Sequence, residues 1–121
     1  MKFPEHFQFD AMPFEQLSDK IYRRYITGGN AMLVCLKLLK GAIVHKHDHV
    51  SEQITYIVEG KVRVTAAGKE YIVSKGEVLV LPPNVEHEFV ALEDTIDIDV
   101  FAPVRIDWLM GQQDYLQKKD K

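Results

Sequence analysis

Three histidines alternate with other residues in the stretch GAIVHKHDHVSEQ. Alternate side chains of a β-strand share one face, so two neighbouring histidines of this series can present imidazoles to one point. Neutral imidazoles bind transition metals, and such an ion needs at least one further ligand from another strand. One ligand set that fits the spacing combines His47 and His49 with Gln53. The other combines His45 and His47 with Glu52, and the local spacing leaves both sets open.

A fourth candidate ligand, His87, lies in the stretch VEHEF. In a strand, Val85, His87 and Phe89 share an apolar face, with charged residues on the other face. An imidazole on an inward apolar face needs a polar partner, which a metal ion would supply. His6, by contrast, has no potential ligands at useful spacing, and we expect it on the surface.

Acidic residues alternate with aliphatic ones in the stretch IDIDVF near the C-terminus. Asp97, Asp99 and Phe101 share one strand face. On a half-buried strand the aspartates could face water. In a barrel that holds a cation, inward carboxylates are equally tolerable, and the pattern alone leaves both orientations open.

The elements that must position these residues are short strands. From Lys20 to Phe101 the chain consists of runs rich in Val, Ile, Tyr and Thr, with turn residues every eight to twelve positions. This pattern is typical of an all-β sandwich or barrel, here of eight or more antiparallel strands. We predict an irregular N-terminal arm over 1–19, a barrel over 20–105, and a C-terminal segment over 106–121 that includes a short helix.

Length and charge narrow the class of protein. A chain of 121 residues fits one domain, and its single cysteine, Cys35, excludes an internal disulfide. Lys and Arg total 15 against 18 Asp and Glu, without a basic stripe, so we expect no nucleic-acid partner. The apolar runs are too short for a membrane span, and the N-terminal stretch shows no secretory signal. We therefore expect a cytoplasmic protein without a membrane partner.

Two spaced motifs run through the predicted barrel. The first extends from Gly41 to Gly60 as G-x5-H-x-H-x3-Q-x6-G, and the second from Gly76 to His87 as G-x5-P-x-N-x2-H. Together they resemble the cupin motifs G-x5-H-x-H-x3,4-E-x6-G and G-x5-P-x-G-x2-H-x3-N, over roughly residues 32–101. The resemblance to the cupin superfamily implies a single-domain jelly-roll barrel, also called a double-stranded β-helix.

The cupin resemblance favours the first of the two ligand sets. Gln53 stands where most members have Glu, and Ala91 replaces the final Asn of the second motif. Asn84 stands at a usual Gly, a mild change because Asn tolerates the left-handed backbone region. We place Gly60 in a tight hairpin that needs a positive φ. By this resemblance the metal ligands are His47, His49, Gln53 and His87.

A glutamine ligand affects the expected chemistry. A neutral amide leaves a divalent ion with its full charge, which strengthens the ion as a Lewis acid and disfavours higher oxidation states. The set of ligands suits Zn, Ni, Fe or Mn, and the glutamine favours non-redox reactions such as isomerisation, elimination or ring opening. Glu52, adjacent to Gln53, is expected to point away as a solvated charge.

Three further stretches, SEQITYIVEG, LPPNVEH and DVFAPVRIDWL, narrow the resemblance. They are similar to small single-domain cupins related to the pectin degradation protein KdgF, a group that opens the ring of 4,5-unsaturated uronates. Position by position, the resemblance implies that Asp99, Phe101 and Arg105 line the site. At Thr55 the group can carry a Gln that faces the substrate, so the substrate of this chain can differ.

The resemblance also implies roles for these residues. Asp99 would move a proton as a general acid or base, and Arg105 would grip a substrate carboxylate. The alternative for Arg105 is a rim salt bridge with Asp107 or Asp114. His45 is expected at the mouth of the site as a neighbour of the substrate.

The leading functional hypothesis is a metal-dependent lyase or isomerase for a small carboxylated substrate such as a 4,5-unsaturated uronate. The alternatives are an Fe-dependent dioxygenase and a non-catalytic cupin that binds a sugar or another small molecule. We expect a homodimer, by analogy with the family and from the apolar outward rows of the strands.

Overall fold

The computed structural model describes residues 3–111 and 114–117, and of Asp114 the backbone only. Within these residues ten strands form two antiparallel sheets packed as a jelly-roll sandwich, which confirms the predicted all-β jelly-roll architecture. The strands are β1 (Glu15–Gln16), β2 (Ile21–Thr27), β3 (Met32–Leu38), β4 (Ile43–His47), β5 (Glu52–Glu59), β6 (Lys61–Ala66), β7 (Lys69–Ser74), β8 (Val78–Leu81), β9 (His87–Ala91) and β10 (Thr95–Ala102).

The two sheets place different strands beside the central cavity. The six-stranded sheet has the order β1-β2-β3-β10-β5-β8, and the four-stranded sheet has the order β4-β9-β6-β7. In β10, Thr95, Asp97, Asp99 and Phe101 are buried, whereas the residues between them are partly exposed. The structure thus selects the inward orientation of both aspartates, which the alternation alone left open.

Aliphatic side chains fill most of the space between the sheets. Val34, Leu38, Ile57, Val62 and Val64 are completely buried, and the burial of such side chains is the main stabilising contribution to a fold of this kind. Polar side chains are buried just as deeply at one place, and burying them costs free energy unless they are paired. This polar group includes Thr55, His87, Asp97, Asp99 and Arg105.

Gly60 does not lie in a hairpin, and the prediction there was wrong. The strands on either side of it, β5 and β6, belong to different sheets, so Gly60 is where the chain crosses between them. Its φ is +92°, and a Cβ would lie 2.4 Å from the carbonyl oxygen of Asp94. Only glycine fits, because it tolerates the left-handed conformation and leaves room for the neighbouring backbone.

The helical segments are short. A 3-10 turn covers Phe9–Ala11, and the C-terminal segment forms two single turns, α1 (Ile106–Leu109) and α2 (Asp114–Gln117), in place of one helix. Helix α2 packs against β4 and so covers one end of the sandwich. Within the described part of the chain, no helix has the length and apolar character needed to span a bilayer.

Candidate metal centre

A β-bulge in β4 turns His47 into the cavity. Val44 pairs with Phe89 and His47 pairs with His87, so three steps on β4 match two steps on β9. The extra residue lets both Val44 and His47 face inward, although strict alternation would turn one of them outward. Simple alternation therefore does not describe how this strand presents its histidines.

His49 lies beyond the end of β4, in the loop before β5, and not on the strand that the alternating pattern predicted. The backbone N–H of Asn84 donates to the carbonyl oxygen of His49 over 2.8 Å. Asn84 adopts the left-handed conformation, with φ of 64°, in agreement with its expected tolerance of that region. The ring of His49 is held in turn by its Nδ1, which donates to the carbonyl oxygen of Ser51 over 2.8 Å.

The three imidazoles of His47, His49 and His87 converge, and one ligand nitrogen from each lies within 4.8 Å of the other two. The Nδ1 atoms of His47 and His87 donate to the carbonyl oxygens of His45 and Val85, each over 2.7 Å. A neutral imidazole that donates from Nδ1 presents a lone pair at Nε2. The Nε2 of His87 is buried and has no hydrogen-bond partner among the described residues, which is the arrangement of a metal ligand.

Gln53 adds an oxygen to these nitrogens. Its Oε1 lies 3.1 Å from the Nε2 of His49, and its Nε2 donates to the hydroxyl of Thr55 over 2.9 Å. With Nδ1 of His49 protonated, Oε1 and Nε2 are two lone-pair atoms with no proton between them, and a cation would satisfy both. The donors are therefore three imidazole nitrogens and one amide oxygen, a set that fits a divalent transition metal such as Zn, Ni, Fe or Mn.

Burial keeps these histidines neutral. It lowers the pKa of His47 to about 3, with the charge of His87 as the next cause. It also lowers the pKa of His49 to about 4, with the charge of Arg105 next. The pKa of His87 is lowered by burial as well. The three rings are therefore in the deprotonated form that binds a metal at neutral pH.

Metal binding is expected to resist mild acid. A metal binds deprotonated imidazole, and the pKa values of His47 and His49 lie near 3 and 4, below the ordinary 6.5. Protons should therefore begin to compete only as the pH falls below about 5, and occupancy should change less than about twofold between pH 7.5 and 5.5. Metal analysis after dialysis at both values checks this. A loss that follows a midpoint near 6.5 would contradict it.

Asp99 is joined to the metal centre through Thr55. The hydroxyl of Thr55, which accepts from Gln53, donates to Oδ1 of Asp99 over 2.6 Å. Thr55 itself is fully buried behind the cavity wall and acts through these hydrogen bonds. A glutamate at position 53 would compete for the Thr55 proton, so the amide of Gln53 leaves that proton for Asp99.

Two carboxyl groups, those of Asp97 and Asp99, lie side by side in the cavity. Burial is the main cause that raises the pKa of Asp99. Burial, and then the charge of Asp99, raises the pKa of Asp97 well above its ordinary value. Neither oxygen of Asp97 makes a well-formed hydrogen bond among the described residues. A buried pair with raised pKa values binds a proton more readily than ordinary carboxylates do, as an acid or base catalyst requires.

Arg105 is buried, with 2% of its surface exposed, and is not a rim residue. Its Nε and Nη2 donate to the two carboxylate oxygens of Asp107 over 3.0 and 2.6 Å. Of its two predicted acidic partners, Asp107 is thus the one observed, and the side chain of Asp114 lies outside the described residues. The guanidinium also lies 5.0 Å from the ring centre of Phe101, another predicted site residue that lines the cavity.

Tyr115 is a cavity residue that the sequence did not reveal. Its ring stacks on His47 with a centroid distance of 4.0 Å and an interplanar angle of 18°. Its hydroxyl accepts hydrogen bonds from Nη2 of Arg105, over 2.6 Å, and from the indole N–H of Trp108. No local pattern could have identified it, because α1 ends at Leu109 and α2 begins only at Asp114, so Trp108 and Tyr115 do not share one helix.

Two further residues from the sequence analysis, His45 and Glu52, lie outside the cavity lining. The imidazole of His45 is not among the lining side chains, and its backbone carbonyl orients His47. Glu52 is exposed, in agreement with its predicted orientation. The free space between the lining side chains is about 20 Å³, enough for an ion or a single water molecule. The polar lining of the cavity includes His47, Gln53, His87, Asp97, Asp99 and Arg105.

Comparisons with known proteins agree with this geometry. The family described as "Cupin domain" matches residues 34–102. The pectin degradation protein KdgF of Dickeya dadantii (strain 3937) is 38% identical over 108 residues, which cover 86% of this chain and 97% of that protein. The structure of KdgF from Halomonas sp. has a TM-score of 0.79 at 33% identity, over 86% of this chain and 99% of that one. An RmlC-like cupin from Shewanella frigidimarina NCIMB 400 has a TM-score of 0.80 at 31% identity, over 89% and 99%.

Proposed function

The chain belongs to the cupin family, and from this premise we propose that it is a metal-dependent isomerase or lyase for a small carboxylated substrate, with 4,5-unsaturated uronates as the substrate class. The observation that carries the proposal is one small cavity lined by a buried arginine, a buried pair of carboxyls and two of the three convergent imidazoles. The arginine can bind the carboxylate of an anionic sugar, the carboxyls can transfer the proton that its isomerisation requires, and the imidazoles can hold a metal.

The similarity to KdgF supports the substrate class. The match extends over 97% of the Dickeya protein, which is described by its role in pectin degradation. Pectin is a polymer of uronates, and lyases that cleave it leave a double bond between C4 and C5 of the terminal sugar. The substrate proposed for this chain comes from that similarity together with the residues that line its cavity.

The proposed reaction is an isomerisation. Ring opening breaks the bond between C1 and the ring oxygen, and the C1 hydroxyl loses its proton to form an aldehyde. The ring oxygen leaves as an enolate at C5, which becomes a ketone when C4 gains a proton, so the proton lost from the C1 hydroxyl is returned at C4 and atoms and charge balance without a co-reactant. One group that both accepts and donates a proton can serve both steps, and Asp99, with its raised pKa, has this capacity.

The other residues bind and orient. Arg105 offers a planar pair of donors that suits the uronate carboxylate. The hydrogen bonds from Gln53 through Thr55 hold Asp99 in one orientation. Phe101 and Trp108 line the cavity and exclude water from it. A divalent ion held by the ligand set defined above would supply Lewis-acid stabilisation of negative charge on substrate oxygen.

The test follows the ultraviolet absorbance of 4,5-unsaturated uronate monomers over time, with protein as isolated and with chelator-treated protein, in the presence and absence of oxygen. We expect loss of the conjugated enol-ether signal well above the spontaneous rate, abolished by the chelator and unaffected by oxygen. A rate equal to the spontaneous one would reject the uronate substrate. Activity that requires oxygen would instead indicate a dioxygenase.

We also propose a homodimer formed through the outer face of β5, β8 and β10. Apolar side chains are exposed there, with Ile54 paired across from Val80 and Tyr56 across from Val78. Val80 is 52% exposed, and β8 is the edge strand of its sheet. A contiguous apolar patch at a sheet edge is typical of a protein interface, and a second copy would cover it symmetrically.

Val80→Lys is expected to convert the dimer to a monomer, because it places a charge at the centre of an apolar contact. Val50→Lys is the matched control, since Val50 is also exposed, at 66%, but lies in a loop away from this face. Sedimentation equilibrium of both variants checks the prediction. A wild-type monomer, or a Val80→Lys dimer of unchanged affinity, would contradict it.

A further inference from the structure

The carboxylate of Asp107 grips Arg105 with both of its oxygens, over 3.0 and 2.6 Å. This is the bidentate geometry in which an arginine binds any carboxylate ligand. We propose that Asp107 is an internal competitor, which occupies the carboxylate position at Arg105 in the ligand-free protein and must be displaced by an anionic substrate. The inference rests on the proposed function in one respect, the assignment of Arg105 as the carboxylate binder.

Three aromatic rings lie around the guanidinium of Arg105, and Asp107 occupies the edge formed by Nε and Nη2. The guanidinium carbon lies 5.0 Å from the ring centre of Phe101, 5.1 Å from that of Trp108 and 5.6 Å from that of Tyr115. A carboxylate binds the edge of a guanidinium, and the edge formed by Nε and Nη2 already carries Asp107. A second carboxylate cannot share both donors, so a ligand that uses this edge excludes Asp107.

The location of the pair also favours competition. Arg105 lines the inner cavity and also an outer groove of about 270 Å³, which Asp107, Asp48 and His49 line as well. An anion that arrives along this groove meets Asp107 at Arg105 before it reaches the inner cavity. The Asp107 side chain is 33% exposed, so its carboxylate can rotate into water at small cost once displaced.

Burial explains why a resident competitor is present. Arg105 is 2% exposed, and an unpaired buried charge is strongly destabilising. The carboxylate of Asp107 neutralises this charge while no ligand is bound. A substrate carboxylate would replace Asp107 as the partner of Arg105. The site thereby selects for ligands that bring a carboxylate, because a neutral sugar that displaced Asp107 would leave Arg105 unpaired.

A purely positioning role for Asp107 predicts the opposite sign. If Asp107 only oriented Arg105 for the ligand, its removal would weaken carboxylate binding. If Asp107 competes, its removal strengthens binding. The direction of the change in affinity therefore separates the two roles.

The experiment is calorimetry on the metal-loaded protein, with D-galacturonate as a probe that lacks the C4–C5 double bond and so cannot undergo the reaction, and with galactose as its neutral counterpart. We expect Asp107→Asn to bind galacturonate about tenfold more tightly than the wild type, with galactose binding unchanged. Asp48→Asn removes the same charge from the same groove, and Asp48 forms no ion pair with Arg105 within the described structure. This control should change affinity less than about twofold.

Equal or weaker galacturonate binding by Asp107→Asn, an equal gain in Asp48→Asn, or no binding by any of these proteins would overturn the proposal. Asp107→Ser is a second variant in case the amide fails to fold. Without ligand, both variants should have a lower melting temperature than the wild type. Galacturonate should raise the melting temperature of the variants by more than it raises that of the wild type.

Calorimetry keeps this inference separate from the proposed reaction. A gain in affinity without turnover of unsaturated uronates by the wild type would retain the competition and reject the uronate reaction. Turnover by the wild type without a gain in galacturonate affinity in Asp107→Asn would retain the uronate reaction and reject the competition. Where turnover is observed, competition further predicts a lower KM for Asp107→Asn, whereas lost orientation of Arg105 predicts a higher one.

Discussion

Replacement of Asp99 by alanine is expected to reduce turnover of a 4,5-unsaturated uronate by about 10²–10⁴-fold, the usual contribution of a general acid or base. Asp99 is buried in the cavity, hydrogen-bonded to Thr55, and has a raised pKa because of burial. It therefore combines position with the capacity to hold and release a proton. The ultraviolet assay of uronate ring opening measures the effect, and metal content should stay the same, because Asp99 is not among the convergent ligands.

Two further variants separate chemistry from structure. Asp99→Asn keeps the shape and an oxygen that accepts from Thr55, so we expect a folded protein with the same loss of turnover. Asp97→Asn is the matched control, because Asp97 lies on the same face of β10 and is as deeply buried. The turnover of this variant should fall by less than about tenfold, since Asp97 has no hydrogen bond to Thr55 in the described structure. Turnover retained by Asp99→Ala would exclude the proposed proton transfer.

Replacement of His87 by alanine is expected to empty the metal site. The Nε2 of His87 is buried, aimed at the other two imidazoles and without a hydrogen-bond partner in the described part of the chain. Loss of an outer-shell partner commonly weakens metal binding 10–100-fold, so loss of a ligand should weaken it by more than about 100-fold. Metal content per chain, measured after gel filtration, should fall from about one to below about one tenth.

Thermal unfolding gives a second measurement of the same change. A metal present at 100 times its Kd stabilises the folded protein by about 2.7 kcal/mol, and His87→Ala should lose nearly all of this increment. His6→Ala is the control, since His6 is exposed in the N-terminal arm. Equal metal content in the His87 variant and the wild type would refute the assigned ligand set.

Local spacing was sufficient to predict much of the protein. The alternation of apolar residues and the regular turns predicted an all-β domain. Successive side chains of a strand point to opposite faces, so the period of two is visible in the order of the residues. The motif positions of His47 and His87 predicted residues that the structure brings together. Asn84 was likewise expected in a left-handed conformation from its type alone, and its φ is 64°.

The same local rules could not predict how distant segments meet. The bulge that turns His47 inward, and the loop that holds His49, depend on partners in β9 and on Asn84. The sheet crossing at Gly60 resembles a hairpin in sequence, since both require a glycine with positive φ. These differences arise because pairing register and sheet membership are properties of the packed chain.

The sequence by itself determined the strand pattern, the candidate ligands and the shared face of Asp97 and Asp99. Only the tertiary structure decided that this face points inward, that Asp107 holds Arg105, and that Tyr115 stacks on His47. The physical reason is that periodicity tells which side chains share a face and not which face is buried. Contacts between residues far apart in the chain depend on the packing of both sheets and the C-terminal turns, which no local pattern encodes.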